Sequence, residues 1–151
     1  VPAAVFQAEE ILQRVDFLSV GSNDLVQYML AVDRNNAQVA SLYQEYHPAV
    51  LKALSQVAAA ATLAGKGSGI CGEMAGNPGA ALLLMAMGYQ VLSMNSPNLL
   101  VVKKVLTRIS MKAAKKVLKQ ALALESAQEV KALVDQTLTD AGLEQLIRNR
   151  A

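Results

Sequence analysis

Cysteine is almost missing from this chain: Cys71 stands alone, so no internal disulfide can form. Nothing suggests a secreted, cross-linked scaffold, and a reducing cytoplasm is the simpler setting. Histidine is equally scarce, with only His47, which precedes Pro48 and has no neighbour marking it as catalytic. Charge of one sign is scarce as well. The 14 Lys and Arg against 12 Asp and Glu leave a net +2, too little to argue a polyanionic partner, so nucleic acid is not expected. A long unbroken apolar run is also lacking. Residues 74–102 carry no charge, but Asn77, Pro78, Gly79, Gly88, Gln90, Asn95, Pro97 and Asn98 interrupt them. A membrane helix needs about 20 continuous apolar residues, so this stretch is expected to be buried core and no membrane contact is expected. No charged segment leads into an apolar core at the start, so no secretory signal is expected, although the first residue is Val1 and not methionine.

What is plentiful is hydrophobicity, 53% of 151 residues, which suits one globular domain with a sizeable core, or part of a larger one. Three segments share one plan. Residues 17–20 are apolar and lead into GSND; residues 68–70 lead into CGEMAGNPG; residues 91–92 lead into SMNSPN. Each reads as a short strand, then a loop, then a helix, and that alternation predicts an α/β fold with parallel strands and helical crossovers.

Helix boundaries are marked between them. Pro48 fits a first helical position, and the alanine-rich run to Ala64 stops at Gly65. Asn77-Pro78 and Ser96-Pro97 each pair a capping residue type with proline in the first turn. Ser126 and Glu129 have capping-box spacing, and Gly142 is expected to interrupt or end the last long helix, so residues 110–151 read as helices closing in a hairpin. Lys112, Lys115, Lys116 and Lys119 share one helical face, apart from Val117, Leu118, Ala121 and Leu122, and are expected to be a solvated surface.

In parallel α/β folds functional groups gather at the carboxyl ends of strands, where GSND and CGE both fall. Asp24 offers a hard carboxylate oxygen suited to Mg²⁺, and Asn23 offers an amide that donates and accepts. If Leu25 begins a helix, its first-turn N–H groups add anion-binding capacity. Alternatively, Asn23 or Asp24 simply caps that helix. Arg34 lies eleven residues beyond Asn23, about 16 Å along a continuous helix, and would then sit on the surface. It reaches a common ligand only if the helix stops early and the chain turns back, for which DRNN supplies turn residues. Cys71, between Ile70 and Gly72, reads either as a small buried hydrophobe or as a group that exchanges a proton with carbon, with Glu73 beside it.

Residues 16–35, DFLSVGSNDLVQYMLAVDRN, resemble the second signature of the phosphoenolpyruvate-utilising enzymes, and residues 69–76, GICGEMAG, resemble their cysteine motif. AVDR and CGEMAG are most similar to the enzyme I branch, the phosphoenolpyruvate-protein phosphotransferases of the bacterial phosphotransferase system; dikinases and synthases usually vary there. LSMN at 92–95 and GLEQLIRNR at 142–150 look more like the nitrogen-regulatory paralogues. The resemblance implies the C-terminal part of a phosphoenolpyruvate-binding TIM (βα) barrel, about three parallel strands with helices. On that view residues 1–151 form a single partial domain, too short to close a barrel of about 250 residues. VPAA looks like the end of a family strand motif whose magnesium-binding glutamate would precede Val1. The resemblance further implies Mg²⁺ as cofactor with Asp24 as a ligand, Asn23 and the Asp24 backbone on phosphoenolpyruvate, and Arg34 on its phosphate or carboxylate. Cys71 would protonate enolpyruvate, with Glu73 in support. A phosphoacceptor histidine in an N-terminal half, a small histidine phosphocarrier protein as partner, pyruvate as product and a homodimer complete the implied picture, with the fragment alone expected to be inactive.

Overall fold

A computed structural model describes residues 1–148. Two short helices open it, α1 (Pro2–Phe6) and α2 (Ala8–Leu12), followed by β1 (Phe17–Gly21) and α3 (Ser22–Leu30). A 3₁₀ turn at Ala40–Leu42 precedes α4 (Pro48–Leu63), β2 (Gly67–Cys71), α5 (Glu73–Gly76), α6 (Pro78–Met87) and β3 (Val91–Ser93). Then come α7 (Ser96–Arg108), α8 (Met111–Ala121), α9 (Ala127–Asp140) and α10 (Gln145–Arg148). The three strands form one parallel sheet in the order β1-β2-β3. This is the expected α/β plan, each strand one residue longer at one end or both than its apolar run suggested. The VPAA opening differs: Pro2 sits in the first turn of a helix, where its missing N–H costs nothing, so these residues are not strand.

Caps set the helix starts. The His47 Nδ1 accepts from the Ala49 N–H at 3.2 Å, so the lone histidine is a helix cap. Asn77 Oδ1 accepts from Gly79 and Ala80 at the head of α6. At α7 the expected cap shifts by one: Asn95 holds that position without a side-chain bond, and Ser96 is already helical. Ser126 and Glu129 form the full capping box of α9, which holds the exposed Glu129 carboxyl below its ordinary value, chiefly through the Ser126 hydroxyl. Gly142, at φ 70°, follows the end of α9.

The helices bury one side of the sheet. Leu18, Val20, Ile70 and Leu92 pack into a core with Leu51 and Leu54 of α4, Leu82 to Leu84 of α6, Val105 of α7 and Val130 and Val134 of α9. Each fully buried Leu contributes roughly 1.5–3 kcal/mol relative to exposure. The alternate residues face away: a Cβ on Gly67 would lie 3.7 Å from Phe17 Cβ, and one on Gly69 would lie 3.4 Å from Val91 Cβ and 3.8 Å from Ser19 Oγ. Phe17 and Val91 are exposed there, so among the described residues that face has no cover. The uncharged stretch 74–102 is core through Tyr89, but its remainder is mostly exposed because β3 is an edge strand and α7 turns Leu99 and Leu100 outward. Lys112, Lys115, Lys116 and Lys119 are all exposed, as expected, while Ala114, Val117, Leu118 and Ala121 of α8 are buried. No helix among the described residues is long and apolar enough to cross a membrane.

Candidate functional site

The register puts three strand ends level: Gly21 pairs with Cys71, and Cys71 with Ser93. Just past these ends opens a cleft of about 430 Å³, lined by Asn23, Gly72, Glu73, Ser93, Met94, Asn95 and Asn98.

The first wall comes from α3. It starts at Ser22, not Leu25, with Gly21 as its cap residue and no capping side chain. Asn23 and Asp24 therefore lie inside its first turn, and the reading of either as a cap is excluded. The Asn23 Oδ1 instead accepts the Glu73 N–H at 3.1 Å, reaching the end of the neighbouring strand, and stands 3.4 Å from the Tyr43 hydroxyl. Ser22 is buried and donates its hydroxyl to the Cys71 carbonyl at 2.8 Å. Asp24 is exposed, with Oδ2 positioned 3.4 Å from where a Cβ on Gly21 would stand, over the end of β1.

Arg34 does come back. The helix stops at Leu30, and Ala31 takes left-handed angles (φ 53°, ψ 43°), which reverses the chain. The Val32 N–H closes on the Gln27 carbonyl at 2.9 Å, and the Arg34 N–H on the Gln27 side chain at 3.1 Å. The Arg34 Nη1 then meets Glu73 Oε1 at 2.7 Å. A guanidinium from beyond α3 thus stands beside the end of β2.

Cys71 is exposed at that end, which overturns its reading as a small buried hydrophobe. Gly72 has φ 111° and ψ −172°, an extended left-side conformation open essentially to glycine alone. Tyr43, which the sequence did not single out, faces the same cluster. Its phenol is pushed up to about 12, first by burial and then by the carboxylates of Glu45, Glu73 and Asp24, with Arg34 opposing. It is a neutral donor across the physiological range.

The donor set suits a hard cation in part. Asp24 supplies one oxygen, and magnesium is commonly held by one or two carboxylates together with water and substrate phosphate. Among the described residues no three His, Cys, Asp or Glu side chains cluster as a complete metal site. Asparagine, arginine, carboxylates and a thiol thus gather near the carboxyl edge of a parallel sheet, the place where functional groups collect in α/β folds.

Comparison with known proteins makes that class specific. Residues 1–111 match the PEP-utilising enzyme, PEP-binding domain, and the chain belongs to this family, whose domain is of the TIM-barrel type. It is 43% identical over 148 residues, 98% of its length, to a protein named Phosphoenolpyruvate-dependent phosphotransferase system from Salmonella typhimurium. It is 41% identical over 139 residues, 92% of its length, to the Phosphoenolpyruvate-protein phosphotransferase of Geobacillus stearothermophilus. The chain spans only 20% and 24% of the length of these two relatives.

Proposed function

We propose that the chain is the C-terminal portion of a phosphoenolpyruvate-protein phosphotransferase, supplying part of the pocket in which phosphoenolpyruvate gives up its phosphoryl group. The observation that carries this reading is the return of Arg34 to Glu73, which brings the loop after α3 beside Asn23 of α3 and Glu73 just past β2, the latter two lining the strand-end cleft. The family membership supports the substrate, and the charges and donors present suit it.

In the proposed reaction the phosphorus–oxygen bond of phosphoenolpyruvate breaks as a phosphorus–nitrogen bond forms to a histidine outside this chain. That histidine passes the phosphoryl group to a small phosphocarrier protein. The enolate left behind takes the Cys71 thiol proton at its methylene carbon and becomes pyruvate, leaving the thiolate. Asn23 and the Asp24 N–H hold the substrate, and Arg34 binds its phosphate or carboxylate through a planar fork that suits such anions. Glu73 keeps Arg34 aimed at the cleft. Magnesium, when bound through Asp24, would offset charge on the substrate oxygens. The cytoplasm is the setting in which a phosphoenolpyruvate-driven transfer would run. LSMN favours the nitrogen-regulatory branch; its other marker ends at Asn149 and Arg150, outside the described residues.

The test is exchange of pyruvate methyl protons in deuterated water with magnesium, in the intact phosphotransferase. Cys71→Ala should lower exchange at least 100-fold with pyruvate binding retained, and unchanged exchange would remove the thiol from the reaction. The chain on its own should show none.

A second reading, an assembly module, is favoured by exposed Leu99 and Leu100 on α7 and by the outer edges of β1 and β3, which pair with no further strand among the described residues. It is compatible with a homodimeric parent.

A further inference from the structure

The Ser22 hydroxyl is oddly used. A serine in the first turn of a helix ordinarily serves its own backbone, yet α3 has no side-chain cap and Ser22 reaches across 49 residues to the Cys71 carbonyl at 2.8 Å. It is 1% exposed and one of two buried polar side chains among the described residues, the other being Ser68. The position explains the contact. The β1–β2 ladder ends at the Gly21–Cys71 pair, and the next residue of the β1 chain is already helical. The Cys71 carbonyl has two lone pairs, and at this last rung the buried Ser22 hydroxyl donates to it and ties the end of β2 to the head of α3.

The next two residues are held from the same helix. A Cβ on Gly72 would collide with Ser22 Oγ and lie 2.9 Å from Asn23 Oδ1, so the backbone passes directly over both polar atoms. Glu73 donates its N–H to Asn23 Oδ1 at 3.1 Å. The segment 71–73 is thus clasped at both ends by consecutive residues of α3. The bond also orients the Asn23 amide: with Oδ1 turned to Glu73, its two N–H donors are left for an acceptor in the cleft.

We propose that Ser22 is a positioning residue for the protonation step, fixing the Cys71 backbone so that the thiol stands at a set place relative to a substrate held by Asn23. The proposal rests on the reading of Cys71 as proton donor. Ser22 touches no reacting atom. It acts through the strand-end carbonyl, so losing it should slow proton transfer to carbon more than it weakens binding.

Three variants of the intact phosphotransferase test this: Ser22→Ala, Ser22→Thr and Cys71→Ala. Pyruvate methyl exchange is measured for kcat and KM, alongside phosphoryl transfer from phosphoenolpyruvate and the melting temperature. Ser22→Ala should lower kcat for exchange about 10- to 100-fold with KM within about 3-fold, and Ser22→Thr, which keeps the hydroxyl, should restore it. Loss of exchange and phosphoryl transfer in equal proportion, tracking lost folded protein, would overturn the positioning role; so would Ser22→Ala with full exchange activity. If Cys71→Ala also exchanges normally, the proton-donor reading itself has failed. If Cys71→Ala is dead while Ser22→Ala is normal, only the role of Ser22 has.

Discussion

Replacing Gly72 with alanine should damage this chain more than any other single methyl added at a left-handed glycine. Two independent costs meet there. At φ 111° and ψ −172° a side chain is strained by about 1–3 kcal/mol. The new Cβ would also press into Ser22 Oγ and sit 2.9 Å from Asn23 Oδ1, both fixed by their own hydrogen bonds, and such overpacking costs about 1–3 kcal/mol. The total, roughly 2–6 kcal/mol, is a large share of the 5–15 kcal/mol that typically holds a domain folded. With a urea slope of about 2 kcal/mol per molar, the midpoint should fall by roughly 1–3 M. Gly88→Ala offers positive-φ strain without a collision. Its angles, φ 106° and ψ 10°, are left-handed helical where those of Gly72 are extended, and its nearest neighbour, Thr62 Oγ1, would lie at 3.7 Å, an ordinary contact. Its loss should be the strain alone, about 1–2 kcal/mol. Adding Ser22→Ala to Gly72→Ala removes one of the colliding atoms, so the double variant should be more stable than the sum of the singles. Equal midpoints for Gly72→Ala and Gly88→Ala, or strict additivity in the double variant, would refute the collision.

Arg34→Lys should separate stability from chemistry: its ion pair with Glu73 is solvent-exposed and worth under about 1 kcal/mol, so melting should barely move. Phosphoryl transfer in the intact phosphotransferase should fall about 100-fold because the planar fork is lost, and a wild-type rate would take Arg34 off the substrate. Alkaline titration gives a second check. Tyr43 and Tyr89 both ionise later in the folded chain than unfolded, chiefly through burial, so their contribution is intact below about pH 10 and is lost as pH rises through 10 to 12 and beyond. Urea midpoints should hold to about pH 10 and then decline, whereas a flat profile to pH 12 would contradict the burial of both phenols.

The strands were legible because each is a short apolar run stopped by polar turn residues, whereas their faces emerge only from the structure. The helix start at Pro48 was legible through proline in the first turn, and those at Pro78 and Ala127 through local caps, which act within three residues of the boundary. The end of α3 was not. Nothing glycine-like marks Ala31, and the turn is held by the Gln27 carbonyl and side chain, so only family resemblance put Arg34 in the site. The break between α7 and α8 had a signal that went unread: Ser110 caps α8 through the Ala113 N–H. Tyr43 and Ser22 were missed for a physical reason. Their partners lie 20 and 49 residues away, and spacing carries no information about contacts made only by the fold.

The alternation that fixes the faces also explains why the thiol is exposed. Cys71 lies in register with Gly67 and Gly69, and those two stand against Phe17, Ser19 and Val91. It therefore belongs to the uncovered face, at its carboxyl edge. In a closed βα barrel that face turns inward and its carboxyl edge becomes the mouth where chemistry occurs. An apolar Phe17 and Val91 suit the packed interior of such a barrel, whereas an exposed thiol two residues before the Glu73–Arg34 ion pair suits its mouth. On the proposed function the same face changes character along its length, from packing to chemistry, over the two rungs from Gly67 to Cys71. The Gly21–Cys71–Ser93 row marks where that change is complete, because beyond it each strand hands over to a different structure: a helix after Gly21, a left-handed glycine after Cys71, and a loop into α7 after Ser93. The first two exits lie close enough for Asn23 Oδ1 to accept the Glu73 N–H at 3.1 Å and, beyond α3, for Arg34 to reach Glu73 Oε1 at 2.7 Å.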